Sequence, residues 1–185
     1  MGWVLLGAVV LVILYPVVVY GRLVSLQQQM IRAFADIDAQ LKQRRDLVPA
    51  LVESMKHYAA HERRTLDAVM AARDAAATAH GPTHQVAAES QLTGALGHLF
   101  ALSESYPNLK ASEPFLVLQE RMAAVEDDLA AARKLFNSTV SEFNAAIRSF
   151  PAVLFAGSLG FIPREFFDIG EGQRSALDVP PRVEF

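Results

Sequence analysis

The stretch DIDAQLKQRRDLVPALVESMKHYAAHE, Asp36 to Glu62, decides the fold. Ile37, Leu41, Leu47, Val48, Leu51, Val52 and Met55 recur at the spacing of one helix face. Leu23, Leu26, Met30 and Phe34 carry that spacing backward, with no glycine or proline between Arg22 and Val48. Forward, Tyr58, Leu66, Val69 and Met70 extend it into an alanine-rich run that ends near Ala79. Pro49 interrupts the pattern. An interior proline removes one backbone hydrogen bond and costs about 3 kcal/mol, so it either kinks this helix or breaks it.

Two further helices follow. After the turn HGPTH (His80 to His84), Leu92, Leu96, Leu99 and Phe100 mark the core face of a helix from about Gln85 to Tyr106, closed by Pro107. Ser112 reads as the N-cap of a third helix, with Glu113 and Pro114 in its first turn. There Phe115, Leu118, Met122, Val125, Leu129, Ala132, Phe136, Val140, Phe143, Ile147 and Phe150 step by three or four without a miss. At about 1.5 Å per residue such a helix exceeds ~50 Å and needs another long helix to lie along. Pro151 closes it, and AVLFAGSLGFIPREFF (Ala152 to Phe167) is apolar but broken by glycines.

Upstream, Met1 to Gly21 has no charged side chain. About 20 apolar residues cross a bilayer core of about 30 Å, and Trp3 and Tyr20 stand near the run's two ends. Pro16 is tolerable in such a helix. A cleaved signal peptide would want a basic start and a small-x-small site, where this run ends in VVVYGR. The expected organisation is therefore an anchor over 1–21, a helical body over 22–167 and a flexible tail over 168–185. Arg22, Arg32, Lys42, Arg44 and Arg45 all follow the anchor, so the positive-inside rule puts the body in the cytoplasm.

Composition narrows the function. Alanine, leucine, glutamate, glutamine and arginine favour helix. With a net charge of -3 and no basic run beyond KQRR (Lys42 to Arg45), the chain lacks the footprint of a nucleic-acid binder. It has no cysteine, hence no disulfide, thiolate metal site or cysteine nucleophile. His57 and His61 have ligand spacing, but the order is HxxxHE, not the zinc-peptidase HExxH, and a third ligand is distant. Asp36, Asp38, Lys42, Arg44, Arg45 and Asp46 are the densest charge cluster. It is either a solvated helix face or an inter-helix polar layer joining Asp38 and Arg45 to Arg133, Asn137 and Asn144.

The stretch Ile37 to Glu62 also resembles the signature of the LemA family. LVSLQQQM before it and TLDAVMAARDAA after it fit, as do YPNLKASEPFLVLQ (Tyr106 to Gln119), ARKLFNSTVSEFNAAIRSFP (Ala132 to Pro151) and GFIPREFF (Gly160 to Phe167), in the family's order. Ala50 and His57 depart from the family's usual asparagine and glycine. The resemblance implies a bacterial inner-membrane protein with one N-terminal span and an elongated antiparallel helical bundle of three to four long helices. It implies no catalytic mechanism.

The function expected is that of a membrane-anchored scaffold or adaptor, oligomeric or bound to envelope proteins, without enzymatic activity, cofactor or metal. Phe155, Phe161, Ile162, Phe166 and Phe167 are the expected contact residues, as an exposed apolar patch. The alternative is a metal-dependent or hydrolytic accessory enzyme using His57, His61 and Glu62.

Overall fold

The computed structural model describes residues 2–59, 61–79 and 82–167, leaving aside the side chains of 2, 4–14, 82 and 83. Every regular element among them is helical: α1 (Gly2–Lys56), α2 (Arg63–Thr78), α3 (Pro82–Ser103), α4 (Pro107–Lys110), α5 (Glu113–Arg148) and a 3-10 turn, Ala152–Leu154. The expected tail, 168–185, lies outside the described residues.

Helix α1 runs through both Pro16 and Pro49. Around Pro49 the packing outweighs the lost hydrogen bond, because Val48, Leu51, Val52 and Met55 are all buried. The break comes later, at His57 to Glu62, where no glycine or proline stands. There the Tyr58 and Ala59 N–H groups both reach back to the Met55 carbonyl, and Ala59 is buried. The turn lets α2 lay Leu66 and Val69 on the same core as Val52 and Met55. So the helix expected to reach Ala79 is two helices.

Two smaller departures share a cause in proline chemistry. Pro107 opens α4 at its first turn, where its missing N–H costs nothing, and α3 has already ended at Ser103. Helix α5 starts at Glu113, with the Ser112 carbonyl accepting from Leu116 as an N-cap residue's does. It ends at Arg148, so Phe150 leaves the core stripe and stands 80% exposed.

The chain divides into two compact units, Met1–Ala35 with Ala132–Phe185, and Asp36–Ala131. In the Asp36–Ala131 unit, Val48, Leu51 and Met55 of α1 pack with Leu66 and Val69 of α2 and Leu92, Leu96 and Leu99 of α3. Leu109, Phe115 and Met122 complete that core. In the other unit, Leu23 and Leu26 of α1 meet Phe143 and Ile147 of α5, and Phe34 meets Phe136. Numbers that rise along one helix fall along the other, so the two run antiparallel there.

Among the described side chains, the buried residues of α1 are Leu23, Leu26, Met30, Ala33, Ile37, Leu41, Arg44, Val48, Leu51, Val52 and Met55. Val52 apart, their steps are of three or four, with two successive fours from Ala33 through Ile37 to Leu41, the spacing of one buried seam along a helix. Arginine occupies one slot of that seam.

The expected span over 1–21 depends on side chains that are largely outside the described ones. Among the described residues, no helix is long and apolar enough to cross a membrane. Near the start of α1, Trp3, Tyr15, Val17, Val18 and Tyr20 are all exposed.

Candidate functional site

Arg44 falls on the buried seam because it follows Leu41 by three residues and precedes Val48 by four. A guanidinium 1% exposed must find partners for its charge and donors. Glu89 supplies a buried carboxylate from α3. Arg44 Nη1 lies 3.5 Å from its Oε2, and Arg45 Nη1 lies 2.6 Å from its Oε1. Arg44 Nη2 donates to Thr93 Oγ1 at 2.8 Å, while the Thr93 hydroxyl donates to the Glu89 carbonyl at 2.9 Å. From α5, Glu126 Oε1 comes within 2.6 Å of Arg44 Nε. Two guanidiniums thus face two carboxylates, and the cluster is neutral.

A cavity of about 300 Å³ opens beside this cluster. Leu96, Gly97, Phe100 and Met122 give it apolar walls, and Arg44 and Glu126 stand at its polar edge. Glu89 is held between two guanidiniums and Arg44 by three partners. The arrangement suits fixing three helices in one register, which is the best-attested use of a buried polar group.

The second constellation lies on α5 in the other unit. Asn137 Nδ2 donates to the Phe167 carbonyl at 2.9 Å, and its Oδ1 accepts from the Phe167 N–H at 2.8 Å. Asn144 treats Arg164 alike: its Nδ2 donates to the carbonyl at 2.8 Å and its Oδ1 accepts from the N–H at 2.8 Å. Seven residues of helix rise about 10.5 Å. Three residues of extended chain span about 10 Å. The two asparagines therefore match two backbone positions on a segment running antiparallel to α5. Each side-chain amide serves as a neighbouring strand's backbone would.

That fastening decides where the aromatic residues go. Phe167 sits edge-on to Phe34 and Phe136, with the Arg133 guanidinium 5.5 Å from its ring centre. Phe161 packs edge-on against Tyr20 and Phe143. Both phenylalanines are buried, so the expected exposed patch is divided. Ile162 and Phe166 face outward, while Phe155 is half-buried against the core.

The expected single polar layer is likewise divided. Asp38 accepts a hydrogen bond from Gln85 at 3.0 Å, and Arg45 pairs with Glu89, both within Asp36–Ala131. Arg133, Asn137 and Asn144 serve the C-terminal segment of the other unit. The buried arginine is Arg44, which sequence reasoning passed over for Arg45. Glu89 was missed too, although it precedes Leu92 by three residues and so lies on the core stripe of α3. His57 and His61 lie in the turn between α1 and α2, off any common helix face. Among the described residues, no three histidine or carboxylate side chains group to hold a metal.

An all-helical body, with a buried neutral ion cluster in one unit and an asparagine-fastened terminal segment in the other, defines a class without assigning it a reaction. The sequence model of the LemA family matches residues 33–185, and the chain belongs to that family. It is similar to Protein LemA of Metamycoplasma hominis, 27% identical over 153 residues, 82% of this chain and 70% of that one. It is also similar to Magnetosome protein MamQ of Magnetospirillum gryphiswaldense, 29% identical over 93 residues, 50% of this chain but 33% of that protein. Magnetosome protein MamQ 1 of Paramagnetospirillum magneticum is 28% identical over a stretch of the same length. The likeness to the MamQ proteins thus spans only a third of their length.

Proposed function

We propose that this chain is a single-pass protein of the bacterial inner membrane, anchored by residues 1–21, whose helical body is a scaffold or adaptor for envelope proteins. The observation that carries this reading is the continuity of α1: one helix holds the uncharged N-terminal run and the seam residues Val48 to Met55 of a packed core. A run of apolar residues that length is what a bilayer crossing requires. The arginines that follow favour a cytoplasmic body, by the positive-inside rule. Magnetosome protein MamQ is named for the structure it belongs to rather than for a reaction, and a role of that kind is the one proposed here.

The contact surface centres on Ile162 and Phe166, the two of the five expected contact residues that face solvent. Homo-oligomers or a complex with other envelope proteins would cover them. The test uses the full-length chain in its native membranes. It should stay with the membrane through an alkaline carbonate wash. Crosslinking should then capture a reproducible partner, or a second copy, that is lost in the Ile162→Ser/Phe166→Ser double variant. Release by carbonate would refute the anchor, and crosslinks indifferent to the double variant would refute the surface.

A further inference from the structure

The connection after α5 lies beside the apolar start of α1, within one compact unit. Tyr20 and Phe161 are in edge contact, ring centres 5.7 Å apart. Tyr15, Val19 and Arg22 line a single cavity with Phe150, Pro151 and Ala152. Ala152, Ala156 and Phe161 are built into the core formed by Leu23, Leu26, Phe143 and Ile147. The connection is therefore fixed at the height of Tyr15 to Leu23.

Its outer side is apolar and open. Phe150 is 80% exposed and Leu154 74%, with Val153 and Leu159 more than half exposed. No charged residue occurs from Ser149 to Pro163, whereas Arg148 immediately precedes this run. A chain facing only water rarely gathers such side chains in one place. Here they continue the uncharged surface of α1, where Tyr15, Val17, Val18 and Tyr20 are exposed as well.

We propose that Phe150 to Leu159 is a second membrane contact, an interfacial element beside the anchor helix that inserts Phe150, Val153, Leu154 and Leu159 into the lipid bilayer. The proposal rests on reading residues 1–21 as the anchor. If the run leaves the membrane at Gly21, Tyr15 lies about 9 Å inward along the helix at ~1.5 Å per residue. Phe150 lines a cavity that runs along α1 from Tyr15 to Leu23, with Glu142 on its α5 wall. It therefore stands between the depth of Tyr15 and the membrane surface. About 5–10 Å is where interfacial elements bury their apolar faces. Arg22 and Arg148 then stand at the rim, where their stems follow apolar surface and their guanidiniums meet lipid phosphates. Such a contact holds this unit against the membrane surface, which a flexible tether would not do.

The chain has no cysteine, so one can be introduced as the sole labelling site. Leu154→Cys carries a nitroxide at a position already open to solvent, and Ile31→Cys, about 15 Å beyond Gly21 along α1, serves as the reference. Each full-length variant is reconstituted into phosphatidylcholine–phosphatidylglycerol vesicles, washed with carbonate, and probed with oxygen, which enters bilayers, and a nickel chelate, which stays in water. The expected result is faster relaxation by oxygen than by nickel at Leu154→Cys and the reverse at Ile31→Cys. Nickel dominance at both positions, in chain that stays with the vesicles, overturns the second contact and leaves the anchor standing. Chain lost from the vesicles in the wash overturns both.

Discussion

Arg44 Nε and Glu126 Oε1 lie 2.6 Å apart, joining a side chain 2% exposed to one 42% exposed. The asymmetry sets what each partner is worth. Removing Arg44 strips Glu89 of one of its two cations inside the core. Neutralising Glu126 leaves Arg44 its contacts with Glu89 and Thr93, and water already reaches the Glu126 side chain. Arg44→Ala should therefore cost about 3–5 kcal/mol, as breaking a buried pair does. Glu126→Gln should cost about 1 kcal/mol or less. The Arg44→Met/Glu89→Leu double variant should recover much of the Arg44→Ala loss, because it leaves no unpaired charge fully buried. Urea unfolding of the full chain in detergent, followed by far-ultraviolet circular dichroism, ranks the three. A loss of about 1 kcal/mol or less for Arg44→Ala as well would show that the cluster is solvated.

Asn137 and Asn144 each make two hydrogen bonds to one backbone residue. At about 1 kcal/mol net for each bond, Asn137→Ala should lower the local closing free energy by about 2 kcal/mol. Amide exchange over Gly160 to Phe167 should then quicken by roughly 30-fold, since ~1.4 kcal/mol is a factor of ten. Asn137→Asp should not rescue it, because the Phe167 carbonyl would meet an acceptor in place of a donor. Hydrogen–deuterium exchange read by mass spectrometry on that peptide decides it. Unchanged exchange in Asn137→Ala would mean that the aromatic packing of Phe161 and Phe167 alone holds the segment.

Much of this architecture is legible in residue spacing. Most of the α5 stripe from Phe115 through Ile147 is buried, as its steps imply, with Leu118 and Ala132 half-buried, and α1 buries its own row at steps of three and four. Spacing also held the answer for Arg44, which sits in phase with Leu41 and Val48, while charge type drew attention to the cluster as a whole. Helix ends were less legible. Pro49 is a local signal overruled by buried neighbours, and the turn at His57 to Glu62 has no local signal to read. The asparagines on α5 stood out beside a core stripe, but an amide satisfies a backbone as well as a side chain. Only the fold shows that their partners are Arg164 and Phe167.

The Glu53 carboxyl is held below its ordinary range, first by the hydrogen bond from Lys56 and then by that lysine's charge. The pair is exposed and i,i+3 on α1, with Lys56 Nζ 2.6 Å from Glu53 Oε2. A carboxyl depressed on folding contributes stability above its unfolded value and loses it as pH falls through its folded one. Lys56→Met, which removes both the donor and the charge and leaves only the smaller pull of His57, should therefore raise the Glu53 titration midpoint followed by NMR. An unmoved midpoint would refute the pairing.

Two glycines separate backbone conformation from space. A Cβ at Gly97 meets nothing within 4 Å, and so does one at Gly160. Gly97 lies inside α3, where alanine is the better residue, so Gly97→Ala should stabilise the chain by about 0.5–1 kcal/mol. Gly160 has φ +82°, a conformation that disfavours a Cβ by about 1–2 kcal/mol, so Gly160→Ala should destabilise despite the open space. The residue follows Leu159 and turns Phe161 toward Tyr20 and Phe143, so strain there also bears on the proposed membrane contact. Urea midpoints of the two variants should move in opposite directions from the parent chain. A Gly160→Ala chain as stable as its parent would mean that the turn tolerates another backbone conformation. A loss at Gly97 would mean that α3 needs the bare backbone at the edge of the cavity beside Arg44.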